Sequence, residues 1–459
     1  MRKAPPAHLV RHGLWRERPR TRRRRTRTAH VRPARILLAF VAIRILHTAD
    51  WHLGHALHGV DRGPEHERFV AWLLDTVEAE AVDAVIVAGD VFDASNPPAG
   101  AQALWYRFLA EAWRRLPRLQ LVVVGGNHDS ASRLDAVDPL LREMGRLHVV
   151  GGVPRAAAGA PDLERLLVPL EDAAGRRAAW VAAVPYLRAA DLGAGAGAAD
   201  DDAAEATRRF YAAALERARA RRAPGEALLA TGHLYAVGGK ISELSERRLA
   251  VGNQAAVPAD AFPADLAYVA LGHLHLAQAV GGRETVRYSG SVLPLSFAER
   301  GYRHGVVVAD LDGEAVRAQR VLRVPRFVEL VSVPDAEAPA PLPEVLAALE
   351  ALPARGDGPD ALRPLLEVKV RLERPEPALR ALLDQALAGK EARLVRIATT
   401  LAGTGRALGD GERRALGDLV PEEVFRRKYD ADYGGPPPDA LLEAFRALLQ
   451  EVESEEGAR

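Results

Sequence analysis

Five short stretches of the chain gather the side chains that could do chemistry. They are Asp50 and His52 in HTADWHLG, Asp90 and Asp93 in VAGDVFD, Asn127, His128 and Asp129 in VVGGNHDS, His233 in LLATGHLYA, and His273 and His275 in VALGHLHLA. Each follows an apolar run that reads as a strand, so each sits where a strand ends. Asp, His and Asn without a thiolate form an oxygen and nitrogen donor set that suits manganese, magnesium, iron or zinc. The mixture of His and carboxylate favours manganese, with magnesium as the alternative. There are too many candidate ligands for one ion, and two ions sharing a bridging carboxylate fit better. Two divalent ions about 3.5–4 Å apart stabilise both the attacking and the leaving oxygens of an in-line displacement at phosphorus, which points to phosphate ester hydrolysis. A His outside the ligand set would supply the proton for the leaving oxygen. His128 is placed to do so, with Asp129 orienting its ring.

For residues 225 positions apart, Asp50 to His275, to share one centre, the elements must bring strand ends to a common rim. Layered α/β folds do this at the carboxyl ends of their strands. The pattern predicts such a fold. A strand at 43–47, a helix near 64–81 with Phe69, Val70, Leu73, Leu74 and Val77 on one face, a strand at 84–88, a helix near 101–116 and a strand at 119–124 make a βαβαβ unit. Further strands are expected at 179–184, 228–231, 267–271, 285–288 and 306–311. Gly89, Gly126, Gly232 and Gly272 read as the turn residues that aim the ligands inward. The tract 189–206, AADLGAGAGAADDDAAEA, reads as a mobile connection. After about Pro325 the character changes, and a Pro-rich boundary introduces a small segment with strands near 366–372 and 394–398 around a helix near 377–388. A last helix is expected at 440–452, its outward side acidic.

The chain has 459 residues, 48% of them hydrophobic, with 62 Lys plus Arg against 61 Asp plus Glu and no Cys. That length suggests two to three domains with a sizeable core. The absence of Cys excludes disulfides, thiolate metal sites and cysteine catalysis, and fits a cytoplasmic, reducing location. The even charge balance hides a block: residues 1–40 hold 13 of the basic residues and one acidic one. The rest is left with 49 against 60, a net −11. The block reads as an over-extended start of translation, with a disordered nucleic-acid-binding arm as the alternative. The short apolar stretch at 36–43, interrupted by Arg44, is neither a signal peptide nor a membrane span.

The ordered set D-x-H, GDxxD, GNHD, GH and GHxH resembles the calcineurin-like metallophosphoesterases. The wording ILHTADWHLG, AGDVFD, GNHDS and LGHLH followed by YSGSV is similar to the SbcD nuclease-subunit family. The resemblance runs from about Ile43 to Asp310, and more loosely beyond. It implies an α/β fold, a two-sheet sandwich flanked by helices (about 43–322), followed by a small α+β capping domain (323–418) and a C-terminal helical segment (419–459) that could dock a partner. It further implies one ion held by Asp50, His52, Asp90 and His275 and a second held by Asp90, Asn127, His233 and His273, with Asp90 bridging. His128 would be the catalytic histidine and Asp93 an orienter of a ligand. The implied activity is a 3′-to-5′ double-strand exonuclease and single-strand or hairpin endonuclease on DNA, in a homodimer partnered by an SbcC-type coiled-coil ATPase. A small-substrate phosphoesterase of the same fold and a non-catalytic DNA-end scaffold are the rival readings.

Other polar residues read more plainly. His55, His58 and His66 are expected to be solvated surface groups, and His148 and His304 unremarkable. Trp51 is expected to pack beside the centre rather than stack on a base, and Ser289 and Ser291 to hold turns.

Overall fold

In a computed structural model, residues 43–143, 145–157, 159–193, 200–236 and 257–401 are described, with isolated positions between 422 and 445. The basic block at 1–40 and most of the expected last helix lie outside the described residues.

The strands in chain order are β1 (Ile43–Thr48), a small ribbon of β2 (Ala56–Leu57) and β3 (Val60–Asp61), β4 (Ala84–Ala88), β5 (Gln120–Val124) and β6 (Leu147–Val150). Then follow β7 (Leu167–Glu171), β8 (Arg177–Ala183), β9 (Ala227–His233), β10 (Tyr268–Gly272), β11 (Gln278–Val280), β12 (Arg283–Tyr288), β13 (Gly305–Asp312) and β14 (Ala315–Arg323). They form two six-stranded sheets, ordered β14-β13-β1-β4-β5-β6 and β11-β12-β10-β9-β8-β7. The central strands of each run parallel, β1 with β4 and β5 in one, β8 with β9 and β10 in the other. Within each sheet the carboxyl ends of these strands therefore point one way.

Both faces of the first sheet's centre are covered, which is why β4 and β5 read as nearly unbroken apolar runs rather than alternating ones. Successive residues of β4 divide between two cores. Ala84 and Ile86 face the second sheet and join Val181, Leu229 and Val269. Val85 and Val87 face the helices Gly63–Ala79 and Ala99–Arg115, meeting Phe69, Leu73, Trp105 and Phe108. Trp51 belongs to this second core as expected: it is fully buried, edge-on to Phe69, Trp105 and Phe108, and its Nε1 donates to Thr48 Oγ1 at 3.0 Å.

The tract at 189–206 is not simply a connection. Its second part opens the helix Asp200–Arg221, which buries Phe210, Tyr211, Ala214, Leu215 and Ala218 beside the second sheet. Ala206, Ala214 and Ala218 take up part of the inward face, which weakens the apolar contrast on which periodicity rests.

Beyond residue 325, β15 (Leu330–Val333), β16 (Ala340–Pro341), β17 (Leu365–Leu372) and β18 (Arg393–Leu401) form a third sheet in which β17 pairs in parallel with the other three. Helices Leu342–Glu350 and Leu379–Ala386 close a separate core around Val345, Leu349, Val368 and Leu383. A small cluster of Leu57, Phe297, Val328, Leu330 and Leu365 joins β15 and β17 to the ribbon. No helix among the described residues is long and apolar enough to cross a membrane.

Candidate metal centre

The loops after β1 and β4 are stitched together before any side chain is considered. Asp50 N donates to Gly89 O at 3.0 Å, and Trp51 N and His52 N both donate to Asp90 O at 2.9 and 3.1 Å. Asp50, His52, Asp90 and His273 hold positive φ angles of 53°, 48°, 49° and 105°. Each such angle costs a non-glycine residue about 1–3 kcal/mol, a strain that the fixed strand ends sustain and that collects where side chains must be aimed.

Of the four expected turn glycines, only Gly89 has a positive φ. Gly126 is needed for space, since a Cβ there would lie 2.1 Å from Asp90 Oδ1.

The structure brings seven expected ligands to one place. Donor atoms of Asp50, His52 and His275 lie within 4.8 Å of one another, as do those of Asp50, Asp90 and His233. His233 Nε2 stands 2.9 Å from Asn127 Oδ1 and 3.3 Å from Asp90 Oδ2, and His273 Nδ1 stands 3.1 Å from the same Asn127 oxygen. Asp90 lies between the two halves, its Oδ2 also 3.6 Å from His52 Nε2. Six of the seven are buried and Asn127 is half-buried.

The electrostatics of this cluster are unbalanced in a way that a cation would correct. Burial raises the Asp50 carboxyl to about 7. Its Oδ1 accepts from His273 N, while Oδ2 is buried with no hydrogen-bond partner. His52 Nδ1 donates to Asp93, leaving Nε2 buried and without a partner. Burial lowers His52 to about 4 and His273 to about 3, which keeps them neutral, the form that binds metal. His233 is the exception. Burial pushes it down, but the Asp90 carboxylate outweighs burial and raises it to about 9. Its Nδ1 donates to Ala88 O, so Nε2 faces two oxygen acceptors and can satisfy them only with a proton or a metal ion. Asp90 itself is held well below the usual carboxylate range: burial opposes this, and His233 overcomes it. The donors, their burial and the bare atoms fit a divalent cation centre.

His128 lies at the rim, half-buried. Its backbone N–H donates to Asp90 Oδ1 at 2.9 Å, and its ring Nδ1 donates to the carbonyl of Asp93 at 2.7 Å. The expectation that Asp129 orients this ring is therefore corrected. Both Asp129 oxygens accept backbone N–H groups, from Phe92, Val91 and Gly126 at 2.8–3.1 Å, and so pin the β4 and β5 loops together. Burial raises the Asp129 carboxyl to about 6. Asp93 Oδ1 accepts from His52 Nδ1 at 3.0 Å.

Two participants carry no signal in the sequence motifs. Glu299 is fully buried, and its Oε1 accepts from His275 Nδ1 at 2.9 Å. His55, expected in solvent, is half-buried between Asp93 Oδ1 and Leu295 O, each 3.1 Å away. His66 is also buried rather than solvated, and burial lowers it to about 3. His304 is buried as well, its Nδ1 donating to Ser291 O at 2.9 Å. Ser289 and Ser291 are buried and hydrogen-bonded, Ser289 to Gly290 O.

Two sheets whose parallel strands deliver Asp, His and Asn to a shared cation centre define a calcineurin-like metallophosphoesterase, and residues 43–177 match that family's model, calcineurin-like phosphoesterase. Residues 326–433 match a second family model, SbcD_C, described as type 5 capsule protein repressor C-terminal domain. The chain is 46% identical over 387 residues to a Rhodobacter capsulatus protein named as the SbcD component of nuclease SbcCD, covering 83% of this chain and 93% of that one. It is 31% identical over 393 residues to the Escherichia coli K12 protein of the same name, covering 84% and 92%. To the Bacillus subtilis protein of that name it is 38% identical over 286 residues, covering 61% and 69%. The chain belongs to the SbcD nuclease-subunit family and is a metal-dependent phosphodiesterase.

Proposed function

We propose that the chain is the nuclease subunit of a DNA-end processing complex in the cytoplasm. In this reading it is a 3′-to-5′ exonuclease on duplex ends and an endonuclease on single strands and hairpins. It works as a homodimer within a heterotetramer that contains an SbcC-type coiled-coil ATPase, in DNA repair and recombination. Residues 43–322 serve as the nuclease domain and 323–418 as a cap that selects how DNA enters, a division supported by the separate core around Val368 and Leu383. The observation that carries the reading is the convergence of Asp50, His52, Asp90, Asn127, His233, His273 and His275 on one buried centre with Asp90 in the middle.

One ion would be held by Asp50, His52, Asp90 and His275 and the other by Asp90, Asn127, His233 and His273, with manganese best suited to this donor set. When bound, such a pair supplies Lewis-acid stabilisation of both oxygens in an in-line displacement at phosphorus. The protein's own residues do the rest. Asp93 fixes the His52 ring and Glu299 the His275 ring. Because Nδ1 of His128 is committed to the Asp93 carbonyl, only Nε2 can exchange a proton with substrate, and it is the atom to protonate the leaving oxygen.

The test is His128→Ala assayed with manganese on linear duplex DNA. Degradation should fall by about 10²–10⁴-fold, while the bound manganese, measured by equilibrium dialysis, stays at the wild-type level. Full activity of the variant removes His128 from the reaction. Cleavage of nucleotides but not polynucleotides by the wild type replaces the DNA reading with a small-substrate phosphoesterase.

A further inference from the structure

A protein body at net −11 must draw its polyanionic substrate with local groups rather than with its overall charge. Many of the described arginines are already paired. Arg44, Arg62, Arg115, Arg219 and Arg320, for example, are each committed to a carboxylate. One place differs. A cleft of about 430 Å³ opens beside His275, lined by Arg287, Tyr302, Arg303, His304 and Arg323 and by no carboxylate.

Arg303 and Arg323 are exposed, and neither guanidinium pairs with an acid among the described residues. Arg323 Nη1 donates instead to the carbonyl of Arg303, which braces β14 against the loop that precedes β13. Arg287, on β12, has a side chain only 11% exposed. Its ionic partner is Glu284, 3.3 Å away and itself largely in solvent, and its Nε is buried without a partner. Three cations on two strands and a loop are thus held at one mouth with little to neutralise them. A second cleft of about 310 Å³ is lined by the same Tyr302, Arg303, His304 and Arg323 and adds Arg326. The basic lining therefore extends beyond the cleft that His275 borders.

We infer that the Arg287–Arg303–Arg323 cleft beside His275 binds the phosphodiester backbone of the DNA strand next to the bond being cleaved. The inference rests on the nuclease reading above and names where the substrate strand runs. Guanidinium forks suit phosphate oxygens, and two clefts that share Arg303 and Arg323 offer places for successive phosphates. Contacts of this kind position the strand without reading its sequence.

The test separates strand binding from catalysis. Binding of a fluorescent single-stranded oligonucleotide to the full chain is followed by anisotropy in EDTA between about 50 and 200 mM salt. For R303Q/R323Q the affinity should drop by at least about tenfold. The slope of log affinity against log salt should shrink by roughly 1.4, at about 0.7 per phosphate contact on a single strand. R303K/R323K, which keeps the charge, should restore most of the slope, and thermal melting checks that both variants fold. Unchanged affinity and slope in the glutamine variant, or wild-type protein that binds no oligonucleotide, overturns the inference. Loss of affinity in the lysine variant equal to that in the glutamine variant assigns the effect to packing and also overturns it. A wild type that binds the strand in EDTA but cleaves no polynucleotide with manganese refutes the nuclease reading alone.

Discussion

The backbone carbonyl of Asp93 accepts the ring Nδ1–H of His128 at 2.7 Å, while the Asp93 carboxylate accepts Nδ1 of His52 at 3.0 Å. One residue therefore orients both the His128 ring and the His52 ring, through different atoms. That division allows the two roles to be separated. In Asp93→Asn the backbone carbonyl stays and His128 keeps its orientation, but His52 loses an anionic acceptor. Metal affinity should fall by about 10–100-fold, whereas kcat at saturating manganese should change far less. Equal losses in both would mean that Asp93 acts on the reaction through its carboxylate. A manganese titration of activity and of binding distinguishes the two.

The raised His233 ring sets a pH dependence for the metal-free protein. Its folded value, about 9, exceeds the ordinary value of about 6.5, so protonation favours folding. The stabilisation is complete below about pH 6.5 and is lost as pH rises through 9. It amounts to something on the order of 3 kcal/mol. In EDTA, thermal midpoints should decline across that window, and His233→Asn should flatten the decline. A metal ion and the proton compete for the same Nε2, so manganese binding at pH 7.5 should release close to one proton from this ring. Calorimetry in two buffers of different ionisation enthalpy measures that number, and a value near zero contradicts the placement of a metal against His233.

Gly126 is required because another group occupies the space its side chain would fill. An added Cβ would sit 2.1 Å from Asp90 Oδ1 and 2.4 Å from Asp90 N, with no flexible neighbour to yield. Gly126→Ala must displace the carboxylate shared between the two halves of the centre. A misplacement of about 1 Å is enough for a hundredfold loss of rate, so activity should fall at least that far, with weaker manganese binding. Gly100→Ala is the control: it lies in the helix Ala99–Arg115 with nothing within 4 Å of its Cβ. Retention of full activity in Gly126→Ala would show that Asp90 can move without consequence.

The expected ligands are legible in the sequence because each sits at or just beyond the end of a mostly apolar run, although β9, expected at 228–231, continues to His233 itself. β4, expected at 84–88, is Ala84–Ala88. What cannot be read has no such contrast. The edge strand β14, AVRAQRVLR, alternates polar and apolar residues without a clean period because one side of its sheet ends there, and β7 is equally silent. His66 is followed by charged Glu67 and Arg68, yet the helix Gly63–Ala79 turns it inward. Adjacency in sequence suggests Asp129 as a side-chain partner for His128, while the turn directs that carboxylate to backbone amides instead.

Glu299 is illegible for a different reason: it lies 24 positions from His275, in a short 3-10 turn, and no local pattern announces a carboxylate that folds inward. Its Oε1 accepts His275 Nδ1 at 2.9 Å and its Oε2 accepts Leu295 N at 2.8 Å. Both oxygens are in use, which decides what an isosteric change must do. In Glu299→Gln one of the two donors faces an NH₂ group whichever way the amide is turned. A buried unsatisfied group costs about 1–3 kcal/mol. If the amide nitrogen falls towards Leu295, the loss appears in stability and His275 keeps its acceptor. If it falls towards His275, the imidazole is no longer fixed with Nδ1–H inward, and manganese binding weakens by about 10–100-fold. Urea unfolding of the metal-free variant together with manganese titration of the folded one reads the two separately. Wild-type values in both would mean that Glu299 neither holds the turn nor aims His275.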